Sequence, residues 1–290
     1  MEHSKLHETG PKLSRIISGA WRWNLPETEI EKLIDASLSV GITTFDHADI
    51  YGDHSNEEIF GNVLKKNPSL RNQMELVTKC GIKFNSAKRP KTWVKHYDTS
   101  KEHIVWAAEN SLKMLNTDHI DLLLIHRPDP LLNPTEVAEA FSKLKQSGKV
   151  LHFGVSNFTP AQFEMLQAYL SFPLVTNQLE ISLSSIDPLF DGGVDVLMKH
   201  KVSPMAWSPL GGGKLVNENK GELFSKAKQY NATDAQLSLG WLLRHPSNIF
   251  PVIGTTKPER IVESAKAIDI KMDMQDWFEM LKVVMGKEMP

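Results

Sequence analysis

Three short apolar runs in this chain each end on a residue suited to proton transfer. Thr44-Phe45-Asp46-His47-Ala48-Asp49-Ile50-Tyr51-Gly52 leaves its apolar segment on an acid and places a tyrosine beside a glycine five residues later. Glu75-Leu76-Val77-Thr78-Lys79 ends on a lysine, and Asp121-Leu122-Leu123-Leu124-Ile125-His126 on a histidine. If these runs are successive parallel strands of one sheet, Asp46, Tyr51, Lys79 and His126 meet as one polar cluster. A free tyrosine has a pKa near ~10 and gives up its proton reluctantly. A lysine ammonium close to the phenol stabilises the phenolate. Lys79 must then stay protonated despite partial burial, and Asp46 would keep it charged and aimed. His126 would donate a hydrogen bond to a carbonyl oxygen at the same point. Such a group suits protonation of a developing alkoxide while a hydride arrives at carbon. The hydride must come from a cofactor, because no side chain supplies one.

Each of these residues has a plainer use taken singly. Asp46 can cap a loop, Lys79 can end a strand in solvent, and Tyr51 can be a loop aromatic. His126, followed by Arg127 and Pro128, can be a satisfied strand-end histidine. The signal lies in their order along consecutive strand ends.

The elements that must position them follow from the chain's rhythm. Strand candidates run from Arg15 to Ser18, Thr43 to Asp46, Met74 to Lys79, Ile120 to His126, Val150 to Ser156, Leu174 to Gln178, Ser203 to Ser208, and Ile249 to Ile253. Between them, helical patterns span Pro26 to Val40, Asn56 to Lys65, Lys101 to Leu115, Pro134 to Ser147, Pro160 to Leu170, Thr233 to Arg244 and Pro258 to Ala267. Proline and acids stand at several helix starts, where a missing N–H costs nothing and the dipole favours negative charge. Gly41 and Gly148 are natural helix stops. The strands are apolar in runs, as suits a sheet covered on both faces. Eight strands alternating with helices over 290 residues predict an α/β fold, a single (β/α)8 TIM barrel domain over 1–290. A doubly wound sheet is the alternative, but Gly19-Ala20-Trp21-Arg22-Trp23 after the first strand lacks its glycine-rich turn. In a barrel, catalytic residues stand at the C-terminal ends of the strands. Neighbouring strands lie about 5 Å apart, within reach of one another's side chains.

Composition excludes several classes. A net charge of -2 gives no general attraction to nucleic acid or anionic membranes. The single cysteine, Cys80, rules out an internal disulfide and a cysteine-rich zinc site. The polar stretch from Met1 to Gly10 has no apolar signal core, and no apolar run approaches the roughly 20 residues that span a bilayer. A cytoplasmic location is expected.

The sequence resembles the aldo-keto reductases, and the likeness runs from Ser18-Gly19-Ala20-Trp21 to Arg260. It is carried by Phe45 to Gly52, Thr78-Lys79, Asp121 to His126, Gly148-Lys149-Val150, Phe153-Gly154-Val155-Ser156-Asn157-Phe158 and Trp207-Ser208-Pro209-Leu210-Gly211. The resemblance implies a monomeric, bacterial-type NADPH-dependent oxidoreductase that reduces small aldehydes or ketones. It implies Tyr51 as general acid, Lys79 and Asp46 as its tuning pair, and His126 as the group orienting the carbonyl. For the cofactor, NADPH/NADP+, it implies Ser156, Asn157 and Gln178 at the nicotinamide carboxamide and Trp207 stacked on the ring, with Trp21 also in contact. Ser208, Pro209, Leu210 and Gly211 would start the loop over the pyrophosphate, with Lys214 a phosphate contact. Gly254, Thr255, Thr256, Lys257 and Arg260 would receive the adenosine 2′-phosphate, and the physics agrees: hydroxyls and free N–H groups at a helix N-terminus receive an anion. Glu263 and Ser264 would face the adenine. Many relatives have lysine where Gly254 stands, leaving the phosphate charge to Lys257 and Arg260, and asparagine where Ser264 stands.

For the substrate, a rim of Trp21, Trp23, Tyr51, Trp93 and residues after His126 favours apolar or aromatic carbonyls. The 20 or so residues after the last barrel helix read as one amphipathic helix around Trp277, Leu281 and Val284. Two alternatives compete. A metal-dependent barrel hydrolase would use Asp46, His47, Asp49 and His126, but adjacent strand residues point to opposite faces, and Lys79 and Tyr51 would stand idle. A nucleotide-binding, redox-sensing regulatory subunit would keep the cofactor site with little turnover, against which the complete tetrad argues.

Overall fold

A computed structural model of the chain describes residues 1–217 and 221–289. Eight strands close into a parallel barrel: β1 (Ile17–Gly19), β2 (Thr44–Asp46), β3 (Glu75–Cys80), β4 (Ile120–Ile125), β5 (Val150–Ser156), β6 (Asn177–Glu180), β7 (Met205–Trp207) and β8 (Phe250–Ile253). Each pairs with its sequence neighbours, and β8 returns to β1. Register sets the site: Gly19 lies opposite Asp46, Asp46 opposite Val77, and Lys79 opposite Leu124. Asp46 and Lys79 therefore reach the same end of the barrel from adjacent strands.

The helices between strands are α1 (Glu27–Ser39), α2 (Asn56–Lys66), α3 (Lys101–Met114), α4 (Pro134–Gln146), α5 (Pro160–Ala168), α6 (Gly193–Lys199), α7 (Asp234–Leu243) and α8 (Pro258–Ala265), and α9 (Met274–Met285) follows. Their starts have local causes. Thr159 and Thr233 each form a reciprocal capping box with the glutamine three residues on, and Asn133 caps Thr135 ahead of Pro134. Helix α6 was not anticipated. It has seven residues, too few for a clear helical period, and starts from Gly192 in the left-handed region.

The first ten residues also enter the fold, which no sequence signal had indicated. Though polar, they enter an antiparallel hairpin of His3–Lys5 with Lys12–Ser14. Leu6 and Leu13 join Ile17, Val77, Leu122, Leu124, Met205 and Phe250 in the barrel interior, so the hairpin plugs the N-terminal end. The outward faces of the strands pack on the helices: Phe45 meets Phe60 of α2 at 5.4 Å, and Phe153 stacks on Phe141 of α4 at 4.3 Å. The C-terminal helix is docked by Trp277, stacked on Trp241 of α7 at 4.7 Å. Each indole N–H donates to the other residue's backbone carbonyl. Among the described residues, no helix is long and apolar enough to cross a membrane.

Candidate active site

Lys79 is fully buried at the C-terminal end of β3, and all three of its N–H donors are engaged. They point to Asp46 Oδ2 at 2.6 Å, the His47 carbonyl at 2.8 Å and the Tyr51 hydroxyl oxygen at 3.2 Å. An ammonium has three donors and no acceptor. Tyr51 Oη therefore accepts from Lys79, and its own O–H is directed elsewhere. Asp46 is equally occupied, because Gln178 Nε2 donates to its second oxygen at 3.0 Å. His126 directly follows β4, buried, with its ring edge-on to Tyr51 at 5.9 Å between centroids. The structure thus brings together all four residues singled out in the sequence.

The charge states follow from burial and neighbours. Burial pushes the Tyr51 phenol above its usual value, with Lys79 pulling against that and Asp46 adding to it. In the chain alone, burial outweighs the ammonium. Burial would likewise lower Lys79, but the attraction of Asp46 and Tyr51 more than reverses it, so Lys79 stands above the usual lysine value. His126 is held well below its usual value by burial and by the cations Lys79, Arg127 and Lys95, and is neutral near pH 7.

Tyr51 owes its position to an unusual turn. Gly52, Asp53 and His54 all adopt left-handed φ values of 58°, 54° and 63°. Two of the three are not glycine, so the turn is strained and must be tied down. His54 Nδ1 lies 2.7 Å from the Asp49 carbonyl, its ring stacks on Phe84, and Ser55 Oγ donates to the Gly52 carbonyl. A side chain at Gly52 would lie 1.9 Å from Asn56 Oδ1. The Tyr-Gly pair is the only trace of this turn in the sequence.

Behind the strands, on the helix side, Glu57 of α2 is buried and accepts from Thr78 Oγ1 at 2.6 Å. Burial raises its carboxyl to about 7, with Thr78, Ser111 and Lys79 opposing. Asp49 is raised by burial and by Glu57. Glu57 was not anticipated, since a helix glutamate after Asn56 reads as a solvated first-turn residue, and Asp49 had been considered only as a metal ligand. The metal-ligand reading loses its geometry here. His47 packs edge-on against Phe60 at 4.5 Å, away from Asp46, and burial holds its imidazole down at about 3. Among the described residues, no group of three or more His, Cys, Asp or Glu side chains converges on one point.

The expected cofactor residues line the same end of the barrel. Ser156 Oγ donates to the Gln178 carbonyl, Asn157 Nδ2 donates to Ser156 Oγ, and Trp207 Nε1 donates to Asn157 Oδ1 at 2.9 Å. Asn157 and Ser208 take left-handed backbone at the strand exits. Pro209 is buried, Leu210 packs under the loop, and Gly211 opens a tight turn that ends at Lys214, whose side chain is exposed. After β8, Gly254 and Thr255 are half-buried, whereas Thr256, Lys257 and Arg260 are exposed around the start of α8. Added side-chain carbons at Gly254 would meet nothing within 4 Å, and at Gly212 only Ser208 Oγ at 3.9 Å. These loops thus leave an open cradle with hydroxyls and cations at its rim, which fits a dinucleotide. Glu263 is half-buried with its carbonyl accepting from Gln236, and Ser264 is buried.

The substrate rim needs correction. Trp23 is only 2% exposed, lies between Phe45 and Phe60, and donates its indole N–H to the Thr255 carbonyl at 2.9 Å. It anchors a loop and lines no pocket. Trp21, 58% exposed, carries Arg22 against its ring, and Trp93, 84% exposed, projects from the excursion between Ile82–Lys83 and His96–Tyr97. Of the residues after His126 expected at that rim, Arg127 brings a polar group to what was read as an apolar surface: its guanidinium lies 5.4 Å over the Trp207 ring.

A family model described as "Aldo/keto reductase family" matches residues 15–284, and the chain belongs to that family of oxidoreductases. It is 48% identical to "Oxidoreductase YdhF" of Escherichia coli, over 97% of this chain and 97% of that protein. It is 45% identical to "6-dehydroglucose reductase" of Agrobacterium fabrum, over 96% of each. Among solved structures, the thermostable aldo-keto reductase Tm1743, crystallised with the inhibitor epalrestat, matches with a TM-score of 0.85 at 27% identity. The match covers 98% of this chain and all of that one.

Proposed function

We propose that this chain is an NADPH-dependent reductase of aldehyde or ketone carbonyls, with Tyr51 as the general acid. The observation that carries the proposal is the full use of the Lys79 donors, which leaves the Tyr51 proton available to a substrate oxygen. When bound, NADPH supplies the hydride to the carbonyl carbon. Tyr51 gives its proton to the carbonyl oxygen, so the product is an alcohol and the phenol becomes a phenolate. Lys79 stabilises that phenolate, and Asp46, fixed by Gln178, keeps Lys79 charged and aimed. Neutral His126 orients the carbonyl without competing as an acid. Ser156, Asn157, Gln178 and Trp207 would hold the nicotinamide end. Trp21, Ser208 to Gly211, and Lys214 would cover the pyrophosphate. Gly254 to Lys257, Arg260, Glu263 and Ser264 would take the adenosine end.

The substrate proposed is a small polyhydroxylated aldehyde. Trp23 contributes nothing to the rim, whereas Arg127 brings five N–H donors beside Trp207, a match for hydroxyl oxygens. The 6-dehydroglucose reductase of Agrobacterium fabrum, named for a sugar aldehyde, supports the same class. The test is NADPH consumption at 340 nm against sugar-derived, aliphatic and aromatic aldehydes, with and without EDTA. Preference for sugar-derived aldehydes, unaffected by EDTA, is expected. Tight dinucleotide binding with no turnover on any carbonyl would favour the regulatory-subunit reading instead, and activity restored only by a divalent metal would overturn the proposal.

A further inference from the structure

Arg127 brings a full positive charge to the barrel mouth and meets no anion there. Its guanidinium rests over the Trp207 ring, which the bond from Trp207 Nε1 to Asn157 Oδ1 holds in place. Among the described residues no carboxylate pairs with it, and the acids of the surrounding loops are committed elsewhere. Asp129, two residues on, accepts from Thr99 Oγ1 and from the Leu131 N–H, both at 2.8 Å. Asp46 is taken by Lys79 and Gln178. Glu180, opposite Trp207 in register, lines a cleft with Asp187 and Asp191.

The excursion between Ile82–Lys83 and His96–Tyr97 adds charge of the same sign. It carries Lys83, Lys88, Arg89, Lys91 and Lys95 and not one acid, in a chain whose net charge is -2. Three of these cations have structural partners: Lys83 pairs with Asp98, Lys88 donates to Ser55 Oγ, and Arg89 lies over Trp106. Lys91 and Lys95 are exposed and, among the described residues, form no ion pair. After burial, the groups that hold the His126 imidazole down are Lys79, Arg127 and Lys95. Arg127 and Lys95 therefore stand close to the point where His126 would orient a carbonyl.

A hydroxyl oxygen could occupy one guanidinium N–H. A carboxylate or phosphate occupies two at once, and such charge-assisted bonds are about twice as strong as bonds to neutral acceptors. An anion would also answer the second cation, which a neutral sugar leaves unmatched.

We propose that Arg127, assisted by Lys95, binds an oxyanion on the substrate, so that the preferred substrates are small hydroxylated aldehydes carrying a carboxylate or a phosphate. The inference deepens the reductase reading above and rests on it.

The test measures NADPH consumption by the wild type, Arg127→Gln, Arg127→Lys and Lys95→Gln on two matched pairs, D-glucuronate with D-glucose and glyceraldehyde 3-phosphate with glyceraldehyde. Each pair shares its aldehyde end and differs in the anion. In the wild type, kcat/KM should favour the anionic member of at least one pair about tenfold or more, and the pair that shows it tells carboxylate from phosphate. Arg127→Gln should bring that ratio near one, mainly through KM. Arg127→Lys, which keeps the charge but loses the fork, should restore part of it, and Lys95→Gln should reduce it by a smaller factor. High salt should narrow the wild-type ratio, which a preference for shape alone would not do. A wild-type ratio near one in both pairs, or a ratio that survives Arg127→Gln, would overturn the oxyanion site and leave the reductase reading standing. Turnover confined to aliphatic or aromatic aldehydes would overturn it as well. A wild type that turns over no aldehyde at all would overturn the reductase reading and the oxyanion site with it.

Discussion

Gln178 Nε2 donates at 3.0 Å to the Asp46 oxygen that Lys79 leaves unbound, joining residues on β6 and β2 across the barrel mouth. Both carboxylate oxygens of Asp46 are thus hydrogen-bonded, as a buried polar group requires. Gln178 was expected to face the nicotinamide carboxamide. One of its two side-chain N–H groups is committed to the tetrad, which leaves the other N–H and the amide oxygen for a carboxamide beside Ser156 and Asn157. A single amide would then couple cofactor position to Lys79.

Tyr51→Phe removes the proposed acid and leaves the ring in place. General acid catalysis contributes roughly 10²–10⁴-fold, so kcat should fall by that factor while NADPH affinity, measured by fluorescence titration, changes little. Wild-type turnover in this variant would rule out Tyr51 as the donor.

Gly52→Ala tests the strained turn. At φ 58° an added methyl meets Asn56 Oδ1 at 1.9 Å. Alanine forced into the left-handed region destabilises by more than about 1 kcal/mol, and the clash adds to that. Urea denaturation should show the loss, and kcat should drop with it because Tyr51 is the adjacent residue. An unchanged midpoint with unchanged kcat would contradict the turn's role.

Glu57→Gln concerns pH and stability. The Glu57 carboxyl is raised from 4.5 to about 7 on folding, mainly by burial. A folded protein that holds its proton more tightly than the unfolded chain is favoured at low pH. The Glu57 contribution is therefore fully present below about 4.5, is lost as pH rises toward 7, and is constant above that. At ~1.4 kcal/mol per unit the span is on the order of 3 kcal/mol. Asp49 shifts in the same direction. Glutamine can still accept from Thr78 Oγ1, so Glu57→Gln should gain stability relative to the wild type as pH rises from 5 to 8 in urea titrations. Parallel curves for the two proteins would refute this.

Arg260→Ala addresses cofactor choice. With Lys257 it stands exposed at the start of α8, where an anion is favoured. A lost charge-assisted bond of roughly 1.5–3 kcal/mol corresponds to at least about tenfold. NADPH binding should weaken by that factor and NADH binding hardly at all, with the wild-type gap narrowing in high salt. Equal affinity of the wild type for both would sink the phosphate-site assignment.

The barrel was legible because its strands are apolar runs that stop on Asp46, Lys79 and His126, and because Pro134, Thr159 and Thr233 mark helix starts with known capping chemistry. The tetrad was legible for the same reason: strand-end residues in parallel register must meet. What escaped depends on tertiary packing. Leu6 and Leu13 sit in a polar segment and become core only because the barrel offers them an interior. Trp21 and Trp23 are two apart on one loop, and only the Phe45–Phe60 pocket decides that one is solvent-facing and the other buried. The burial of Glu57 is set by Thr78 on a different element. The left-handed run at residues 52–54 carries one glycine where three would announce it.

The hairpin at the N-terminal end has a kinetic consequence. With Leu6 and Leu13 seated among the interior side chains of the strands, the barrel axis is stoppered and nothing passes along it. All traffic shares one doorway. If the proposed function holds, the ligand that lies deeper would arrive first and depart last, an ordered queue in which the second arrival bars the exit of the first.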